Sequence, residues 1–126
     1  MTNPFIQGDT DLPYCALTRN RNGYIMVATR QEVVSYAEFS LDLMAAAKAW
    51  STILENHGAP RVYWIMLSEE TQHLHMHLFP RWPEDTQKGI ALFESRNITS
   101  QPAWTPELEA ALAEWAKTWQ VLVRPA

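Results

Sequence analysis

The run His73-Leu74-His75-Met76-His77-Leu78-Phe79 alternates histidine with apolar residues up to Pro80. Alternation of period two marks a strand with one buried face, because successive side chains point to opposite sides of a sheet. Leu74, Met76 and Leu78 take the core face. His73, His75 and His77 take the other, roughly 7 Å apart at about 3.3 Å of rise per residue. Three of the chain's four histidines sit in this run. Charged, they repel one another; neutral, each still needs partners for two ring nitrogens. A solvated face rarely picks the same titratable residue three times, so the run reads as a site.

Two chemistries suit such a face. Neutral imidazole is a common zinc ligand, and two histidines at i and i+2 can share one ion. All three along one straight strand rarely can, so a further ligand would come from elsewhere. His57 is the remaining histidine, and it falls in the last turn of an expected helix, where a capping role is favoured. Glu69 and Glu70 show no diagnostic spacing. The other chemistry is phosphoryl transfer. An imidazole nitrogen attacks phosphorus and later leaves it, while flanking imidazoles donate to phosphate oxygens or fix the nucleophile's tautomer.

The rest of the chain supplies a scaffold. Tyr14–Thr18 and Tyr24–Thr29 read as a hairpin around Asn22-Gly23. Arg19 and Arg21 are expected at its solvated tip. Ser40 caps a helix from Leu41 with a stripe of Leu43, Ala47, Trp50 and Leu54, stopped by Gly58 and Pro60. Arg61–Leu67 and Gln72–Arg81 are predicted strands joined through a turn at residues 68–71. Pro83–Lys88 reads as loop and Gly89–Phe93 as a short strand. Thr105-Pro106-Glu107 starts a helix with Leu108, Leu112, Trp115 and Trp119 on one stripe. Trp82 and Trp104 are expected to pack at the core or an interface. The order implies an α+β fold in one domain, 1–126. Its parts are an arm at 1–12, a core at 13–82 that holds the triad, and a loop and helix at 83–126.

A net charge of −4 argues against a nucleic-acid partner but allows a small anion held by local donors. The single cysteine, Cys15, lies in an apolar run and reads as core. No apolar run approaches the ~20 residues of a membrane span, and residues 1–11 lack signal-peptide features, so a cytoplasmic location is expected.

His73 to Phe79 matches every position of His-apolar-His-apolar-His-apolar-apolar, and the chain thereby resembles the histidine triad family. Tyr14-Cys15-Ala16-Leu17, Gly23-Tyr24-Ile25-Met26-Val27 and Glu38-Phe39-Ser40-Leu41 resemble the family's first hairpin and the start of its long helix. The trailing Pro80-Arg81 is similar to the branch of the fragile histidine triad and bacterial dinucleoside polyphosphate hydrolases. The resemblance implies a five-stranded antiparallel sheet with a long central helix and a C-terminal helix, paired in a homodimer. It implies a nucleotidyl phosphate or phosphoramidate substrate, with His75 as nucleophile and His73 and His77 in support. No cofactor is required by it, though zinc or magnesium is compatible. Thr71, Gln72, Arg81 and Tyr24 are the candidate substrate contacts. Two positions depart from the pattern. Tyr24 stands where the family has a fourth histidine, and the loop Ser68-Glu69-Glu70-Thr71-Gln72 lacks the family's glycine. These departures motivate a rival reading, a noncatalytic nucleotide- or metal-binding module on the same fold. A metalloenzyme unrelated to the family is a third.

Overall fold

The computed structural model describes residues 14–17, 21–29, 33–69, 73–98 and 101–125. The arm at 1–12, Arg19, the Cys15 side chain, and Glu70, Thr71 and Gln72 lie outside the described residues. The elements are β1 (Tyr14–Leu17), β2 (Ile25–Ala28), α1 (Leu41–Asn56), β3 (Arg61–Ile65), β4 (His75–Arg81), α2 (Gly89–Glu94), α3 (Pro106–Trp119) and β5 (Leu122–Pro125). They build an α+β fold on a sheet ordered β3-β4-β2-β1-β5. The pairs β3·β4, β4·β2 and β2·β1 are antiparallel, and β5 adds to β1 in parallel. That last pairing departs from the expected all-antiparallel sheet. Gln120 takes a left-handed conformation at the end of α3 and turns the chain onto the edge of β1.

Local chemistry sets the helix ends. Ser40 Oγ accepts from Leu43 N at 3.2 Å, which satisfies one of the orphan donors of α1. Gly58, at φ +105°, lets the chain leave the helix in a conformation that costs a residue with a Cβ dearly. His57 Nδ1 lies 2.9 Å from Ile53 O, so this histidine caps the helix end. Thr105 Oγ1 caps α3 through Leu108 N at 3.3 Å, with Pro106 in its first turn.

The sheet buries both faces. On one, Ile25, Val27, Met76 and Leu78 pack against Leu43, Ala47, Trp50 and Leu54 of α1 and Leu108, Leu112 and Trp115 of α3. The indole N–H groups of this core are all spent on carbonyls: Trp50 on Gly23 O (3.0 Å), Trp82 on Asn22 O (3.0 Å) and Trp115 on Ala46 O (2.7 Å). Trp82 therefore packs in the core, and Trp104 stacks on Trp50. On the opposite face Tyr24 and Phe79 meet Leu92 and Phe93 of α2.

That second layer explains a correction. The segment expected as a short strand at Gly89–Phe93 is helical, because the apolar sheet face needs a cover and adjacent Leu92 and Phe93 supply it. Trp119 also departs from its expected core stripe: it is 38% exposed at the last position of α3. β4 continues through Pro80 to Arg81. Its ladder with β2 ends at Leu78, so proline sits where only β3 remains as a neighbour.

Arg21 is the largest departure around the hairpin. Expected at a solvated tip, it is 0% exposed. Its Nε donates to Pro80 O at 2.9 Å, its guanidinium pairs with Asp85, and it lies 4.7 Å over the Phe79 ring. Asp85 also accepts from Trp82 N at 2.7 Å. The pair thus ties the first hairpin to the loop after β4. Removing one partner of a buried ion pair leaves an uncompensated charge. Asp85→Ala is therefore expected to cost about 3–5 kcal/mol. Urea unfolding measures this, and an unchanged midpoint would contradict the buried pairing.

Candidate functional site

Strand β4 begins at His75, so two of the three histidines lie in the pleat and share a face. Their rings meet edge to face with centroids 5.2 Å apart. His73 precedes the strand and is 1% exposed, which corrects the expectation of three imidazoles on one regular strand. Its backbone carbonyl nonetheless serves the pair. His75 Nδ1 lies 3.1 Å from His73 O. A carbonyl oxygen only accepts, so Nδ1 carries the proton in this contact and Nε2 keeps a lone pair.

Ser68 holds the other side of His75. Its Oγ accepts from His75 N at 3.2 Å and lies 3.4 Å from His75 O and 3.5 Å from His75 Nδ1. Ser68 adopts φ +54°, a left-handed conformation that costs an L-residue roughly 1–2 kcal/mol. The turn spends that strain to set the hydroxyl against the start of β4.

His77 is held by Tyr24, whose hydroxyl lies 2.7 Å from His77 Nδ1. Tyr24 is 3% exposed, so it positions a histidine and is not an open contact surface. Burial pushes its hydroxyl up to about 12, against the charge and hydrogen bond of Arg96. The same surroundings hold His77 down at about 4: burial contributes most, followed by the charges of His75 and Arg96. His77 is neutral at pH 7.

Arg96 was not a sequence candidate. It follows α2, with its guanidinium 3.8 Å over the Phe93 ring and Nη1 donating to Phe93 O at 2.7 Å. Phe93 in turn meets the His77 ring at 5.1 Å. No local motif marks Arg96; it joins the site only because α2 folds over the histidine face of the sheet.

The other sequence candidates fall differently. Arg81 is on the histidine face but six residues (81 − 75) from His75, roughly 20 Å at about 3.3 Å per residue. Buried Phe79 stands between. The structure does not bring Arg81 to the pair. Glu69 is exposed, and Thr71 and Gln72 lie outside the described residues. Among the described residues, no group of three or more His, Cys, Asp or Glu side chains comes together to hold a metal ion. A separate groove of about 500 Å³, lined by Asn22, His57, Trp82, Glu84, Thr105 and Glu107 among others, contains none of the triad residues. Two carboxylates on its wall suit an anion poorly. No helix among the described residues is long and apolar enough to cross a membrane.

No protein-family model matches this chain, and no curated protein matches it. Among solved structures, the chain is similar to a zinc-bound histidine triad family protein from Mycobacterium smegmatis. The match has 18% identity and a TM-score of 0.42, over 90% of this chain and 86% of that one.

The low pKa of His77 sets a pH dependence. Above pH 6.5 the histidine is neutral whether the chain is folded or not, and its contribution is complete. Below 6.5 the unfolded chain takes up a proton that the folded site refuses until about pH 4. Stability is therefore expected to fall across that window by about 3 kcal/mol from this residue. His77→Gln removes that part of the slope. Urea titrations of both proteins at pH 7.0, 5.5 and 4.5 measure it; parallel slopes would refute the assignment.

Proposed function

We propose that this chain is a histidine triad protein that transfers or hydrolyses a nucleotidyl group, on a nucleoside phosphate or phosphoramidate, through a covalent bond to His75. The observation that carries this reading is the pair of contacts around His75. His73 O accepts the hydrogen bond from Nδ1–H and leaves the Nε2 lone pair as the nucleophile, while neutral His77 stands beside it at 5.2 Å. The complete triad pattern at His73–Phe79 supports the family assignment.

The chemistry follows from that arrangement. Nε2 of His75 attacks the α-phosphorus, and the bond from phosphorus to the leaving oxygen or nitrogen breaks. The electron pair goes to the leaving group, which takes a proton from solvent on departure. A water molecule then attacks the phosphorus of the nucleotidyl-histidine and gives a proton back to solvent, the phosphorus–nitrogen bond breaks with its electron pair returning to Nε2, and a nucleoside monophosphate is released. In a transferase a second phosphate replaces water. Ser68 and the His73 carbonyl keep the His75 ring from turning, and Arg96 supplies positive charge near the phosphate oxygens. Thr71 and Gln72 are proposed as further donors to the substrate. A homodimer is proposed on the same family reading, as is tolerance of zinc or magnesium without a requirement for either.

The test is intact and peptide mass spectrometry after acid-free quenching with a panel of nucleotides and a nucleoside phosphoramidate. A mass gain of one nucleotidyl group on His75 is expected, with at least a thousandfold loss of turnover in His75→Ala, in line with removal of a nucleophile. Parent-like hydrolysis by His75→Ala would refute the proposal. Calorimetric binding of nucleotide with neither adduct nor turnover would instead leave a noncatalytic module.

A further inference from the structure

The groove apart from the triad lies beyond the end of β4 remote from His75, and one residue ties its walls together. Asn22 N donates to Pro102 O at 2.7 Å, its Oδ1 accepts from Thr105 N at 3.0 Å, and its carbonyl accepts from Trp82 Nε1 at 3.0 Å. The hairpin turn, the segment before α3 and the residue after β4 are thus locked to one another. Asn22 itself is buried at this junction. His57 adds the C-terminal end of α1 to the lining. A cavity of about 500 Å³ is of ligand size, since small-molecule sites span roughly 300–1,000 Å³. Walls already locked together leave little ordering to be done on binding.

The lining is of two kinds. Trp82 and Leu108 belong to the main core, and Pro102 and Ala103 extend that apolar surface. The Trp82 N–H is spent on Asn22 O, so its ring has only carbon to present, and indole is the aromatic ring that best holds a cation. The polar side chains are mostly acceptors. Glu84 and Glu107 line the groove and are exposed. His57 Nδ1 lies 2.9 Å from Ile53 O; the carbonyl only accepts, so the neutral ring keeps Nε2 as an acceptor. Among the described residues, no Lys or Arg lines the groove. The start of α3 brings a partial positive charge, and Glu107 in its first turn offsets it. The local field therefore favours a cation and opposes an anion. We infer that this groove is a second binding site, for an organic cation: an ammonium group paired with Glu84 and Glu107, carried on a flat apolar body that packs on Trp82 and Leu108. It shares no residue with the imidazole site, and it stands whether or not His75 performs the chemistry proposed above.

Three probes with nearly the same indole body separate charge from shape. At pH 7.5 tryptamine is a cation, tryptophol is neutral and indole-3-acetate is an anion. Titrating each into the full chain, followed by NMR of the backbone amides and indole N–H groups, reads affinity and location together. Tryptamine is expected to bind about tenfold more tightly than tryptophol, with indole-3-acetate weakest, and to shift the signals of Trp82, Thr105 and Leu108. Glu84→Gln and Glu107→Gln are each expected to weaken tryptamine about threefold, as for an exposed charge pair, and together to bring it to the level of tryptophol. Tryptophol affinity is expected to stay constant across the variants, which separates lost charge from a damaged groove. Were a variant to unfold, the comparison of the three probes on the parent still decides. Equal parent affinities for tryptamine and tryptophol would overturn the site. So would undiminished tryptamine binding in the folded double variant, or shifts confined to His75 and His77.

Discussion

Strand β4 can satisfy its core in one way, and the remainder of the site follows from that. Met76 and Leu78 must face α1 and α3, because their burial with Trp50 and Leu43 forms the main core. The pleat then forces His75 and His77 onto the opposite side. A slip of one residue in register would bury two imidazoles among leucines and expose the apolar set. The hydrophobic core is therefore what aims the imidazoles. The site needs no loop to point them.

What the strand does not supply comes from separate parts of the chain. His75 is held by the His73 carbonyl and the hydroxyl of Ser68, whose left-handed backbone is the strained point next to the site. His77 is held by Tyr24 from the hairpin and shadowed by Phe93 and Arg96 from the α2 segment. The hairpin itself is fixed by the Arg21–Asp85 pair and by Trp50 and Trp82 bonding to the carbonyls of Gly23 and Asn22. Core packing, hairpin anchoring and imidazole chemistry are thus one connected structure. A residue such as Asp85 can weaken the site without touching it.

Signals carried by neighbours in sequence were legible. Ser40 and Thr105 announce helix starts because a cap acts within three residues, and both accept the expected backbone N–H. The paired face of His75 and His77 follows from period-two alternation alone. Features made by distant partners were not legible. Arg21 reads as a hairpin tip until Asp85, 64 residues away, is brought against it. Gly89–Glu94 carries no decisive local preference, and the uncovered sheet face decides in favour of a helix. Leu122–Pro125 is too short to announce a strand, and only the exposed edge of β1 makes it one. His73 fits the alternation but falls before the ladder begins. Arg96 enters through tertiary packing, so no spacing rule could have found it.

The most direct test of the whole account is a crystal structure of the protein soaked with a nucleoside monophosphate, the product the chemistry would leave in place. The account predicts the phosphorus about 3–3.5 Å from His75 Nε2, the near-attack separation, with a phosphate oxygen beside the His77 ring. Phosphate seated elsewhere, with both imidazoles facing protein atoms only, would contradict it.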